Sequence, residues 1–153
     1  MGESTTKQIK QRLSNYLYLK NENEDHFERL ARMKNDEKIP ALKEGDGSQH
    51  TGGASDRMAN AIIRRLNYEE KILPLINKNQ DEMDAIEDII NAMPDSQERM
   101  VLRMRYIDGE FCRHIKWEDI AKKIYGDNDE KHLQAVYRLH GRALQSFRKG
   151  EQG

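Results

Sequence analysis

Residues 94–149 read PDSQERMVLRMRYIDGEFCRHIKWEDIAKKIYGDNDEKHLQAVYRLHGRALQSFRK, and this stretch decides the fold. Pro94 ends whatever precedes it, because proline has no amide hydrogen and restricts the residue before it. Asp95-Ser96-Gln97-Glu98 then has the spacing of a capping box, an oxygen acceptor followed three residues later by glutamate. Val101, Leu102, Arg105 and Tyr106 follow on that helix, which Asp108-Gly109 closes. Trp117 to Tyr125 reads as a short second helix with Ile120, Ala121 and Ile124 facing inward. Gly126-Asp127-Asn128-Asp129 is a turn. The last helix, from about Glu130 to Lys149, buries Leu133, Val136, Leu139, Ala143, Leu144 and Phe147 at intervals of three and four.

A short helix, a glycine turn and a longer C-terminal helix is the order a helix-turn-helix requires, the first helix bracing the second. On the second helix Lys131, Gln134, Ala135, Arg138 and Arg142 share one face outside the core stripe, with Tyr137 and Gly141 beside them. Arginine grips guanine O6 and N7 with two bonds and glutamine does the same for adenine, while small residues such as Ala135 and Gly141 allow close approach to a groove floor. Lys122, Lys123, Arg113 and Lys116 lie on flanking elements, where they suit phosphate contacts that fix register without reading sequence. A basic helix face is commonly just a solvated surface; here the order of the helices favours the DNA reading.

Upstream, apolar residues at Ile9, Leu13, Tyr16, Leu17, Phe27, Leu30 and Met33 predict one long amphipathic helix from about Thr5 to Lys34. The stretch 35–55 holds Pro40 and GDGSQHTGGAS and reads as a flexible loop. Ser55 is the expected N-cap of a second long helix running to about Met93. Stepping along it by four and three from Met58 visits Ile62, Arg65, Glu69, Ile72, Ile76, Asn79, Met83, Ile86, Ile90 and Met93, a heptad register with three polar positions. Two such helices form a coiled-coil hairpin or stalk, and self-association into a homo-oligomer is the alternative to pairing within one chain. Pro74 predicts a kink or break in the second helix. The expected fold is all-α, with a helical region over 1–93 and a DNA-binding domain over 94–150.

Only 36% of the 153 residues are hydrophobic and 35% are charged, which suits a thin helical core better than a compact globule. The net charge of −1 hides an asymmetry: Lys131 to Lys149 holds five Lys or Arg and no acid, whereas Asp81 to Asp95 holds six acids and no base. The acidic run reads as a solvated helix face or a contact for a basic partner. The single cysteine, Cys112, excludes an internal disulfide, and the absence of a long apolar run or signal-peptide core argues for no membrane partner and a cytoplasmic location. One cysteine and scattered histidines do not reach a four-ligand metal set, so no metal or cofactor is expected. Trp117 reads as a core anchor and His140 as a half-buried structural residue. No phosphate-binding glycine loop, strand-forming run or nucleophile set appears, so an enzyme is not expected.

The blocks QERMVLRMRYIDG, WEDIAKKI and AVYRLHGRALQSFR resemble region 4 of bacterial sigma factors, and more specifically phage late-transcription activators of the RinA, ArpU and LtrC type. The resemblance covers roughly Asp95 to Arg148 and is only architectural over the N-terminal helices. It implies a three-helix sigma region 4-like DNA-binding domain, duplex DNA as partner, contact with RNA polymerase, and late-gene activation in a bacterial host. Between Tyr125 and Val136 the chain is several residues longer than a sigma-factor turn, so Arg138 and Arg142, beyond the insertion, carry the reading most directly. Two other classes fit the same parts: a phage terminase small subunit, which joins such elements into a packaging ring, and a purely protein-binding module.

Overall fold

The computed structural model describes residues 4–43 and 51–153. Its elements are α1 (Thr6–Lys43), α2 (Thr51–Ala92), α3 (Ser96–Leu102) continuing into a π turn (Arg103–Ile107), α4 (Trp117–Tyr125) and α5 (Glu130–Gln152). The protein is all-helical; among the described residues the extended pairing amounts to one isolated bridge, Glu110 with Arg113. The chain forms two compact units, Met1–Asn21 with Gln80–Gly153, and Glu22–Asn79.

The larger unit is built around one apolar cluster. The first turns of α1 bring Ile9, Leu13, Tyr16 and Leu17, and the end of α2 brings Met83, Ile86, Ile90 and Met93. These join Val101, Leu102, Met104, Tyr106 and Ile107, then Ile120 and Ala121, then Val136, Leu139, Ala143, Leu144 and Phe147. A boundary at Pro94 therefore does not describe the packing: α1 and α2 contribute half a core to the C-terminal helices. Arg12 on α1 binds Glu82 of α2 at 2.7 Å and Glu151 of α5 at 2.8 Å, with its guanidinium 5.8 Å from the Phe147 ring centre.

Local chemistry explains the helix ends. Asp95 Oδ1 accepts hydrogen bonds from Gln97 N (2.8 Å) and Glu98 N (3.1 Å), a true N-cap. The reciprocal half of the expected capping box is replaced by a tertiary contact, because the Glu98 carboxylate accepts from Ser146 Oγ on α5. The helix after Leu102 widens to a π turn, with Asp108 N donating to Arg103 O at 2.9 Å, and Met104, Tyr106 and Ile107 are buried there. Gly109 then packs so closely that an added Cβ would lie 2.0 Å from Arg113 O and 2.8 Å from Leu17 Cδ1. α4 ends on Gly126 in the left-handed region, φ 90°, with its amide donating to Lys122 O.

In the smaller unit α1 and α2 run antiparallel. Asn23 Nδ2 donates to Ile76 O (3.2 Å), Asn79 donates to Asn23 Oδ1 (3.0 Å) and to Glu22 (2.6 Å), and His26 meets the Tyr68 hydroxyl (3.0 Å). The heptad register holds: within this unit Ile76 and Asn79 are buried, while Met58, Ile62, Arg65, Glu69 and Ile72 are half-buried. Its polar positions are paired, Arg65 with Glu37 and Glu69, and Asn79 with Glu22 and Asn23.

Three expectations are corrected. α1 continues past Lys34 to Lys43, and α2 starts at Thr51, so 35–43 and 51–55 of the loop expected over 35–55 are helical, and residues 44–50 lie outside the described residues. Ser55 is consequently interior to α2, since extending a formed helix backward by a turn costs little once it is nucleated. Of the kink or break expected at Pro74, the break does not occur: α2 runs through Pro74 as one helix, with one backbone bond forgone.

Truncating a fully buried aliphatic residue leaves a cavity. Leu13→Ala, although 80 residues or more from the C-terminal helices in sequence, is expected to cost about 2–5 kcal/mol in urea unfolding and to shift α5's melting together with that of α1. Unchanged stability of α3–α5 would mean the N-terminal turns are not part of their core.

Candidate nucleic-acid interface

α5 has a buried and an open side. Val136, Leu139, Ala143, Leu144 and Phe147 are buried, and Leu133 is partly buried against the same core. Lys131, Gln134, Arg138 and Arg142 are exposed at steps of three and four, hence on one side of the helix, with Ala135 half-buried at its margin. Gln145 and Lys149 continue the same face and are also exposed. They were missed because the sequence reading stopped at the arginines; the register, one and two turns past Arg142, was the available signal.

Gly141 on this side has nothing within 4 Å of where a Cβ would be, so no packing inside the chain requires a glycine there. Glycine in a helix interior is unfavourable relative to alanine by roughly 1 kcal/mol. Tyr137 is 43% exposed and sits edge-on to Trp117, ring centres 5.6 Å apart, so it borders the face rather than lying in it.

The start of α5 is acidic. Asp129 caps it through His132 N (3.0 Å), and His132 Nδ1 is bonded to Asp127 while its ring stacks on Tyr125 at 5.1 Å. This pairing holds the Asp127 carboxyl below its usual range. Glu130 accepts from the Gln134 amide at 2.9 Å, which ties that side chain back along the helix. Positive character on the open face therefore strengthens toward Arg138 and Arg142. Asp127, Asp129 and His132 place ligand-type atoms within 4.8 Å of one another, but the cap's own hydrogen bonds account for their arrangement.

Behind the face lies an aromatic brace. Trp117 at the start of α4 stacks edge-on to His140 at 4.6 Å, and the Arg105 guanidinium lies 4.4 Å from the Trp117 ring centre while donating to Ile115 O at 2.7 Å. The Tyr106 hydroxyl is 2.7 Å from His140 Nε2. His140 is buried rather than half-buried, and burial, with smaller contributions from Lys10 and Arg105, pushes its pKa down to about 4. Tyr106 is pushed up to about 12, mainly by burial, so this is a neutral hydrogen bond fixing the rotation of α5. Lys122 and Lys123, on the last turn of α4, are exposed on the neighbouring element.

Compared with known family models, with curated proteins and with solved structures, the chain gives no significant match.

Below pH 6.5 the unfolded chain protonates His140, whereas the folded chain excludes that proton until about pH 4. Stability from this group is complete above pH 6.5 and falls as pH drops from 6.5 toward 4, on the order of 3 kcal/mol in all. Urea titrations across that window should show the decline, and His140→Gln should flatten it; an unaltered pH slope in the variant would remove His140 as its source.

Proposed function

We propose that this protein is a sequence-specific duplex-DNA-binding transcription regulator, with α4 as bracing helix and α5 as reading helix in the major groove. The observation that carries the reading is the open side of α5: Lys131, Gln134, Arg138 and Arg142 in one row, free of carboxylates after Glu130, beside a glycine that the packing does not need. Guanidinium groups suit the guanine edge, and a missing side chain at Gly141 lets the helix axis approach bases. Arg138 and Arg142 are the base-reading candidates. Lys122 and Lys123 suit phosphates, and Tyr137 suits the sugar-phosphate rim. The resemblance of residues 95–148 to sigma region 4 and to phage late-gene activators gives this reading its biological form: promoter DNA as target in a bacterial host cytoplasm, with RNA polymerase as second partner.

Fluorescence anisotropy with duplex from the chain's own late-promoter region tests it. Affinity should fall steeply with salt, and Arg138→Ala should lose about 1–3 kcal/mol of binding and relax preference at one base pair. Lys122→Ala with Lys123→Ala should instead weaken all sequences alike and flatten the salt slope. Absence of salt-sensitive duplex binding would sink the proposal, and a uniform loss for Arg138→Ala would reassign that residue to phosphate.

A further inference from the structure

α5 holds two glycines, Gly141 and Gly150, and the fold accounts for one of them. A Cβ on Gly150 would lie 2.8 Å from Ile89 Cγ2, so packing against α2 disfavours a side chain there. Gly141 is the opposite case: among the described residues nothing comes within 4 Å of where its Cβ would be. Its φ is not positive, so the backbone does not call for glycine either, and alanine would be the better helix former. At roughly 100° per residue Gly141 lies around α5 between Tyr137 and Arg138, one turn further on, with Gln145 one turn beyond it. The reading side of the helix therefore carries a gap that no side chain of the protein fills. Tyr137, the aromatic ring beside it, is engaged edge-on with Trp117, ring centres 5.6 Å apart.

The floor of this gap offers no hydrogen-bonding group. Gly141 has no side chain, and in the interior of α5 its backbone N–H and C=O are committed to the helix. Its neighbours on the helix surface, Tyr137, Arg138 and Gln145, bring a ring and methylene stems to its margin. A phosphate or a polar base edge seated there would give up water and gain no partner. The apolar group that base edges present in the major groove is the C5-methyl of thymine. We infer, resting on the reading of α5 as a major-groove helix, that Gly141 seats a thymine methyl group and so specifies an A·T pair beside the pair read by Arg138. Three residues of helix advance about 4.5 Å along the axis, and base pairs are stacked roughly 3.4 Å apart, so the thymine lies one step from the Arg138 contact. The two positions are complementary, because a guanidinium reports guanine and a gap floored by backbone reports a methyl group.

Duplexes selected by the full chain from a random pool supply the probe, and each thymine of the selected site is then replaced singly by deoxyuridine, which lacks only the C5-methyl. Anisotropy titrations should show one thymine, next to the base pair at which Arg138→Ala relaxes preference, whose replacement weakens binding about fourfold, the equivalent of one buried methylene. Gly141→Ala should melt no lower than the native chain and bind the thymine duplex more weakly. The same variant should prefer the deoxyuridine duplex, because the alanine methyl occupies the space that the thymine methyl vacates. Failure of the full chain to select any duplex would remove the DNA reading and this inference with it. Three results would leave the DNA reading standing and overturn the assignment of Gly141 to thymine: a selected site in which no thymine responds to deoxyuridine, a Gly141→Ala variant that loses affinity equally for both duplexes, or one that melts below the native chain.

Discussion

Burial of the first turns of α1 is the constraint on which the C-terminal helices depend. Ile9, Leu13 and Leu17 are almost wholly removed from water in the cluster that also holds Ile86, Ile90, Val101 and Phe147. A fully buried aliphatic side chain contributes about 1.5–3 kcal/mol, and α4 with α5 alone is too small to bury enough apolar surface to stand by itself. The chain's start therefore supplies what its end lacks. Arg12 fastens the arrangement, holding Glu82 and Glu151 while its guanidinium lies over Phe147. Even the strained turn after the π segment belongs to it: Phe111 and Cys112 have positive φ, and Cys112 Sγ approaches Leu17 O at 3.9 Å.

In the hairpin the polar positions do different work from the apolar ones. Arg65, Glu69 and Asn79 weaken the seam as hydrophobic contacts, yet Arg65 and Asn79 find cross-helix partners at one register, Glu37 for Arg65 and Asn23 with Glu22 for Asn79, while Glu69 pairs with Arg65 along α2. Sliding one helix by a turn would strand these groups opposite aliphatic side chains, so the ion pair and the amide pair select the alignment rather than add much stability. The same alignment determines which side chains remain outside the seam, and the exposed row of Ile63, Leu66 and Leu73 follows from it.

α5 shows how packing sorts chemistry along a single helix. Its inner side is committed to Val136, Leu139, Leu144 and Phe147, and the His140–Tyr106 bond locks its rotation, so Arg138 and Arg142 have no route inward. Acidic residues gather at the helix start, where they favour the positive end of the helix dipole. The basic residues follow, out of their reach. Separation of the two signs comes from helix capping at one end and an open face further on.

Much of this was legible in the sequence because periodicity reports directly on burial. The spacing of Val136, Leu139, Ala143, Leu144 and Phe147, the Asp95 cap, the Gly126 turn and the heptad row of α2 each appear in the structure where local pattern puts them. Local pattern also separated Lys131, Gln134, Arg138 and Arg142 from the core face. It erred where local signals compete with cooperative helix extension, at Ser55, and it could not foresee that Glu98 would turn from its own cap to Ser146. By itself, the sequence determined the helices, their inward faces and the basic row, since these depend on residues three or four apart. Packing between distant segments fixed that α1 completes the core of α5 and that His140 is buried against Tyr106. Those outcomes rest on which distant surfaces meet, and no periodicity within a helix encodes that.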